Sequence, residues 1–509
     1  MTRVVSWAAG HAAAAPAREA LVDTGTGRRW SWAALDLEAR CWAARLRAAG
    51  VGPGDRVAVL ARNRGETFAV LFACADLGAI LFPMNWRLSA PELAWQAGDC
   101  APRVLLVDAA SAEVGAGLGL PTLSLDAGPG CGPAARESLP GSDVDAPWQI
   151  MYTSGSTGKP KGALITHRQA FWNAWNTVLA CDLDSASSTL TFTPLFHTGG
   201  MNCLSTPMFA RGGRVVLMPA LDVPEALRLV ARERITHLMG VPTIYQMLAD
   251  DPGFDAANLE SVRDALCGGA PLALPLLERY QARGIPLRQG FGLTEAGPNC
   301  FSMPAADVLR KMRAQPELPT AGPAGSCVGR PMVNVPMRVV RPDGTDCAPG
   351  EAGELWVGGP VVCGGYWGRP DATAAAIVDG WFRTGDALSV DAEGFFYVRG
   401  RLKEMYKSGG ENVYPAEVEQ VIGGSPGVGQ VAVLGVPDPR WGEVGHAFVE
   451  PAPGAELRGD DLLRWLDGRL ARFKIPKRVT VMDALPRTGS GKIDKPALAR
   501  LLSDRPLGS

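Results

Sequence analysis

Eight of the nine lysines in the chain fall into four close pairs, each inside a segment punctuated by glycine or proline. The pairs are Lys159/Lys161, Lys403/Lys407, Lys474/Lys477 and Lys492/Lys495, with Lys311 alone. Arginine supplies most of the 50 basic residues, so a retained lysine points to a need for a compact, flexible three-donor ammonium. The densest cluster is Thr153-Ser154-Gly155-Ser156-Thr157-Gly158-Lys159-Pro160-Lys161-Gly162, which follows the apolar run Trp148–Tyr152. Glycines allow backbone N–H groups to approach an anion, hydroxyls add donors and lysine adds charge. Together they suit a polyphosphate. The spacing is not that of a P-loop, and Pro160 follows the first lysine.

Other segments carry complementary chemistry. In Gly290–Gly297 (GFGLTEAG), Thr294 can donate to a phosphate oxygen and Glu295 offers a hard oxygen ligand suited to Mg²⁺. Asp386, in WFRTGD, is acceptor-only when ionised, so its two oxygens can take both hydroxyls of a ribose diol. Lys492 lies in PRTGSGKIDK near the end of the chain, and His197 lies in the apolar segment PLFHTGGMN.

These residues need a scaffold. Up to about residue 330, β-type runs such as Arg56–Asn63, Arg103–Asp108 and Arg214–Pro219 alternate with helical stretches such as Pro224–Ile235, which argues for parallel sheets covered by helices. Thr166 and Gln169 read as a capping box opening a helix. From about Val333 to Arg401 strands alternate with turns, including Pro342–Gly344 and Asp391–Gly394, as in an antiparallel section. A small α+β piece follows: a helix from Pro415, a strand Gln430–Val436, a helix Asp460–Leu470 and a strand Arg478–Asp483. The expected fold is α/β, with a large N-terminal domain of mixed sheets and helices plus a β-rich section (residues 1–401). A small mobile C-terminal α+β domain (residues 402–509) completes it.

Bulk properties narrow the class. The 509 residues exceed one ordinary core. A formal net charge of −2 argues against an electrostatic nucleic-acid or anionic-membrane binder. Eleven scattered cysteines without a CxxC pair suit a reducing cytoplasm and give no zinc site. The apolar stretch Phe68–Met84 is broken by Asp76 and reads as a buried helix then strand, so no integral membrane segment is expected.

The glycine-rich loop resembles the signature of adenylate-forming enzymes, the superfamily of acyl-CoA synthetases, adenylation domains and luciferase. GFGLTEAG, WFRTGD, GRLKEMYKSGGENVYPAEVE (Gly400–Glu419) and PRTGSGKIDK (Pro486–Lys495) resemble its later motifs, in order and over nearly the whole chain. The overall form is similar to bacterial fatty-acyl-CoA and aryl-CoA ligases. The resemblance implies an ATP-dependent carboxylate–CoA ligase: acyl-adenylate forms with loss of pyrophosphate, then the acyl group passes to coenzyme A with loss of AMP. ATP, Mg²⁺, CoA and a small carboxylic acid are the implied cofactor, metal and substrates. A homodimer is compatible with this reading.

The resemblance also assigns residues. Thr153 to Lys159 would hold phosphates, Glu295 the metal, and Phe291 with Gly292 the adenine, together with the loop Gly268–Pro271 that contains Gly269, Ala270 and Pro271. Asp386 and Arg401 would hold the ribose. Lys492 would bridge carboxylate and α-phosphate. Lys403 would be the hinge about which the small domain turns, bringing Lys407, Gly409 and Gly410 to the thioester-forming face. His197 would gate the acyl path, Gly199 and Gly200 would leave room for the acyl group, and Trp172, Val241 and Tyr245 would set pocket depth. The implied substrate is a medium- or long-chain fatty acid. The alternatives are an aryl or cinnamate-type acid, a carrier-protein acceptor, or a silent nucleotide-binding protein.

Overall fold

Short runs of valine, leucine and isoleucine bounded by glycine, proline or charge become buried parallel strands, because both faces of such a strand are covered by helices. In the computed structural model, residues 3–4, 6–130, 141–153, 160–269, 272–314, 326–409, 411–488 and 493–503 are described. The chain forms two units: residues 1–308, 329–337 and 357–383 make the first, and residues 309–328, 338–356 and 384–509 the second.

Two large sheets lie wholly within the first unit. Their strands are β1 (Glu19–Asp23), β2 (Arg29–Ser31), β3 (Arg56–Leu60), β4 (Ile80–Pro83), β5 (Val104–Val107), β6 (Thr122–Ser124), β7 (Pro147–Thr153), β8 (Lys161–Thr166), β9 (Ser188–Thr191), β10 (Arg214–Leu217), β11 (His237–Gly240), β12 (Asp264–Cys267) and β13 (Leu287–Gln289). One sheet has the order β8-β7-β4-β3-β5-β6, parallel except for the β7–β8 hairpin. The other has the order β13-β12-β11-β9-β10-β1-β2, parallel except at β1–β2.

Phe68 to Met84 forms the helix Glu66–Leu77 followed by β4, nearly every residue buried. Gly78 ends that helix in a left-handed conformation. Among the described residues no helix is long and apolar enough to cross a membrane.

In the second unit, residues 386–390 pair antiparallel with Phe396–Arg401 around the turn at Asp391–Gly394. The helix from Pro415 runs to Gly423, with proline in its first turn where no N–H is lost. The strand Val428–Asp438 pairs along its whole length with Gly442–Pro451, a strand that the sequence reading did not identify. Gly435 and Gly445 in these strands leave room for the Tyr406 ring: a Cβ would lie 2.4 Å and 2.5 Å from its atoms. The helix expected over Asp460–Leu470 spans only Gly459–Leu466, since Asp467 leaves helical geometry just before Gly468 at φ 76°.

Candidate active site

The glycine-rich segment is the connection of the β7–β8 hairpin, in which Thr153 pairs with Lys161 and Tyr152 with Gly162. Ser154, Gly155, Ser156, Thr157, Gly158 and Lys159 lie outside the described residues. At the neck of the hairpin, Thr153 Oγ1 donates to Glu295 Oε1 at 3.1 Å. The same carboxylate oxygen accepts the Tyr366 hydroxyl at 3.1 Å. Lys161 Nζ stands 5.1 Å from the Tyr366 ring centroid, a cation–π contact. Glu295 is buried, and among the described residues no cation pairs with it. Two neutral hydroxyl donors therefore orient the buried carboxylate.

Backbone pairing builds this corner. Gly364 N–H donates to the Leu164 carbonyl, Leu164 N–H to the Gly365 carbonyl, Trp367 N–H to the Gly162 carbonyl and Cys363 N–H to the Glu295 carbonyl, the last at 2.8 Å. The segment 363–367 is thus laid along β8 and carries Tyr366 to Glu295. Tyr366 was missed from the sequence; its only signal is the GGYWG run, glycines flanking two aromatics. The capping box is half formed. Thr166 Oγ1 caps the helix His167–Ala180 by accepting Gln169 N–H at 3.1 Å, but the Gln169 side chain donates to the Thr294 carbonyl at 2.9 Å. It fastens the helix to the glutamate turn instead of closing the box.

The remaining first-unit residues gather at the carboxyl ends of the parallel strands, where open α/β sheets place ligands. Val241 follows β11, Gly268 and Gly269 follow β12, and Gly290 with Phe291 follows β13. Gly268 N–H bonds to Gly240 and Gly290 N–H to Cys267, knitting the three ends together. Phe291 packs edge-on against Phe301, centroids 5.7 Å apart. Gly292 is required by packing, because a Cβ there would lie 2.0 Å from the Pro298 carbonyl oxygen. Ala270 and Pro271 lie outside the described residues.

His197 follows β9, half-buried, its ring 4.8 Å from that of Phe196. Buried Asn63, not noticed in the sequence, holds this segment by donating to Thr193 and accepting Leu195 N–H at 2.9 Å. The glycine pair after His197 divides. Among the described residues, Gly199 has only Met239 Cε within reach of a Cβ, at 3.7 Å, whereas a Cβ on Gly200 would lie 2.4 Å from the Pro194 carbonyl oxygen. Gly200 is needed for a backbone approach, not for acyl room. Trp172 is half-buried on the helix His167–Ala180. Tyr245 departs from its expected place: it is fully buried, donates to the Leu266 carbonyl at 2.8 Å and packs on Tyr280. Its ring and hydroxyl are used by the core.

In the second unit, Asp386 and Arg401 face each other in register and form an ion pair, Nε to Oδ1, of 2.8 Å. Lys403 and Lys407 are exposed. The Lys407 N–H is held by Glu443 at 3.0 Å, and Gly409, at φ 61°, packs on Trp441. Gly410 and Lys492 lie outside the described residues. Three lysines without an assigned role are bound by acids. Lys311, nearly fully buried, reaches Asp391 and Glu393 at 2.8 Å each, and Lys474 reaches Glu417 at 2.5 Å. Lys495 reaches Glu404 at 2.7 Å and Glu419 at 2.8 Å. Burial opposes the charge of Lys495, but Glu419 and Glu404 outweigh it and hold its pKa above the ordinary lysine value.

Residues 9–367 match the AMP-binding enzyme family, and residues 417–492 match the AMP-binding enzyme C-terminal domain. The chain belongs to the AMP-binding enzyme family. A feruloyl-CoA synthase from Amycolatopsis sp is 44% identical over 503 residues, covering 97% of this chain and 98% of the relative. A long-chain-fatty-acid–CoA ligase from Mycobacterium tuberculosis is 35% identical, with 96% of each chain covered. The solved structure of o-succinylbenzoate CoA synthetase from Bacillus subtilis, in complex with its acyl-adenylate intermediate, superposes with a TM-score of 0.86 at 30% identity over 100% of both chains.

As a member of the AMP-binding enzyme family with these relatives, the chain is an AMP-forming acid–thiol ligase. It is an ATP-dependent carboxylate–CoA ligase using ATP, Mg²⁺ and CoA, and its α/β fold ends in the family's C-terminal domain. The residues present fit the metal. Among the described residues there is no group of three acid, histidine or cysteine ligands, so a Mg²⁺ ion would rely on the single carboxylate of Glu295 together with phosphate oxygens and water.

Proposed function

We propose that this AMP-binding enzyme makes the CoA thioester of an aryl acid of the hydroxycinnamate type. The observation that carries the reading is the 44% identity to feruloyl-CoA synthase over essentially the full length of both chains. Identity to the fatty-acid ligase is lower, at 35%. Aromatic side chains near His197 are consistent with a flat ring: Phe196 lies against it and Trp86 lies 6.4 Å from Phe196.

A carboxylate is a poor electrophile, so the acid oxygen attacks the α-phosphorus of ATP and pyrophosphate leaves. The anhydride carbonyl then accepts the thiol sulfur of CoA, and AMP leaves. Histidine is not required as a base in the first step, since the acid is already ionised. In this reading Thr153, Thr294 and the loop Ser154–Lys159 hold phosphate oxygens, and Asp386 with Arg401 holds the ribose. Glu295 would carry Mg²⁺, which offsets the repulsion between the two anions. Phe291, Gly292 and Gly269–Pro271 would border the adenine. Lys492 would pair with the carboxylate and α-phosphate during adenylation. Lys403 would be the hinge, and a turn there would exchange that lysine for Lys407, Gly409 and Gly410 at thioester formation. His197, Trp172, Val241 and Gly199 would border the acid.

The decisive measurement is thioester formation with CoA across ferulate, coumarate, benzoates and fatty acids of graded length. The highest kcat/KM is expected for a hydroxycinnamate. A maximum at a medium- or long-chain fatty acid would overturn the aryl reading while leaving the ligase intact. Acyl transfer to a purified carrier protein but not to CoA would overturn the acceptor.

A further inference from the structure

The loop that carries Lys492 is closed at its base. Asp494 N–H donates to the Pro486 carbonyl at 2.8 Å, and Arg487 and Ile493 form an antiparallel bridge. Asp494 Oδ1 then accepts Ala497 N–H at 2.9 Å, capping the helix Lys495–Ser503. Leu498 seats this helix in a buried cluster with Ala432, Phe448 and Leu485. Both flanks of the loop are therefore anchored to the second unit.

At that anchor stands Lys495. Its ammonium lies between Glu404 Oε2 and Glu419 Oε1, on segments distant in sequence. Glu419 is itself fixed, since the same Oε1 accepts Val433 N–H at 2.7 Å from the strand Val428–Asp438. Glu404 directly follows Lys403. An isolated exposed ion pair would hold such a geometry weakly. Here one mostly buried ammonium is shared by two carboxylates, and each bond is charge-assisted.

We propose that Lys495 is a positioning residue for adenylate formation: through Glu404 and Glu419 it fixes the base of the Lys492 loop to the segment that follows Lys403. Residues 493–495 and the segment after Lys403 are then held as one piece. The proposal rests on the roles given above to Lys492 and Lys403. Loss of the strut leaves Glu404 and Glu419 facing each other without their shared cation. Thioester formation, which uses Lys407 and not the Lys492 loop, depends on it little.

The test measures the two half-reactions separately: acid-dependent ATP–pyrophosphate exchange, and CoA transfer from supplied acyl-adenylate. For Lys495→Ala, exchange should fall about tenfold to a hundredfold, the cost of misplacing a catalytic group by roughly an ångström. The loss should lie in kcat, with KM for ATP and acid nearly unchanged, and CoA transfer should fall far less. Lys495→Arg should restore most of the exchange. Glu404→Gln should act in the same direction, and combining it with Lys495→Ala should add little.

Equal loss of both half-reactions, or unchanged exchange, would overturn the proposal. Thermal melting of each variant separates collapse of the unit from mispositioning; should Lys495→Ala fail to fold, Lys495→Arg and Glu404→Gln carry the same comparison. Lys492→Ala serves as control. If that variant keeps full exchange, the role of Lys492 falls, whatever Lys495 does.

Discussion

The hydroxyl of Tyr366 lies 3.1 Å from Oε1 of Glu295, on the oxygen that also takes the Thr153 hydroxyl. Both donors crowd one oxygen and so fix the direction in which the carboxylate presents its charge. Tyr366→Phe removes one of them without changing the ring on which Lys161 sits. A hydrogen bond to a charged group contributes about 1.5–3 kcal/mol, so the orientation should loosen without being lost. Acid-dependent ATP–pyrophosphate exchange should fall about tenfold in Tyr366→Phe, with a higher Mg²⁺ requirement. Glu295→Gln, which removes the charge itself, should lose about a hundredfold or more. A Mg²⁺ titration of exchange in both variants checks this, and identical Mg²⁺ curves would contradict the metal role of Glu295.

Asp386 and Arg401 are bound to each other, so a change at either one disturbs both. Removing the carboxylate should impair ATP binding twice, through the lost acceptor and through a guanidinium that keeps the Thr384 carbonyl at 3.3 Å but loses its charged partner. Asp386→Asn is expected to raise KM for ATP about tenfold, in line with one charged hydrogen bond. Arg401→Ala should do likewise, and the double variant should fall short of the product of the two. Comparing ATP with 2′-deoxy-ATP gives a second readout. The wild type should discriminate between them, and Asp386→Asn should lose most of that preference.

The strands and the order of motifs were legible because burial on both faces leaves uninterrupted aliphatic runs, as in Val104–Val107 and Arg214–Leu217. Glu295 stood out as a hard oxygen donor in a glycine-rich turn, whereas the weight given to Asp386 and the role given to Arg401 came from the order of the motifs. Tyr366 and Asn63 were not legible, since each acts on a partner far away in the chain: Tyr366 on Glu295, Asn63 on Thr193 and Leu195. Tyr245 misled for a related reason. It was expected near the acyl path, but it sits in the helix Pro242–Asp250 with its ring in the core, and its hydroxyl turns to the carbonyl of Leu266, 21 residues on. The bound states of Lys474 and Lys495 were likewise hidden, because Glu417 and Glu419 look like ordinary helix-surface acids in sequence.

Asp76 lies largely buried in the helix Glu66–Leu77, and burial, reinforced by the nearby Asp36 and opposed by Arg40, pushes its pKa up to about 7. The unfolded value is near 3.9. Between these two values the folded chain holds a proton that the unfolded chain has released, so stability falls as pH rises from about 4 to 7 and stays lowered above it. Asp76→Asn removes the charge and should stabilise the enzyme at pH 8 by about 2–4 kcal/mol, the order of a shift of this size. At pH 4.5 most of that advantage should vanish. Thermal melting at the two pH values checks the sign, and equal stabilisation at both would contradict it.

Gly199 and Gly200 provide a test in which neighbouring glycines should respond in opposite ways. At Gly200 a Cβ would meet the Pro194 and Thr193 carbonyl oxygens at 2.4 Å and 2.5 Å, and backbone cannot yield as a flexible side chain can. Gly200→Ala should therefore cost about 1–3 kcal/mol of stability through overpacking, and should displace the segment that Asn63 holds at Leu195. At Gly199 a methyl group meets, among the described residues, only the flexible end of Met239 at 3.7 Å, so Gly199→Ala should melt like the wild type. Its effect should fall on the acid instead. If that open space receives the substrate, KM for the bulkier acids should rise about tenfold, since one methyl group in a pocket is worth roughly that much. KM for ATP should not move. A Gly199→Ala variant with unchanged kcat/KM across the acid panel would mean that the acid does not pass this glycine, and His197, two residues before it, would lose its place at the gate.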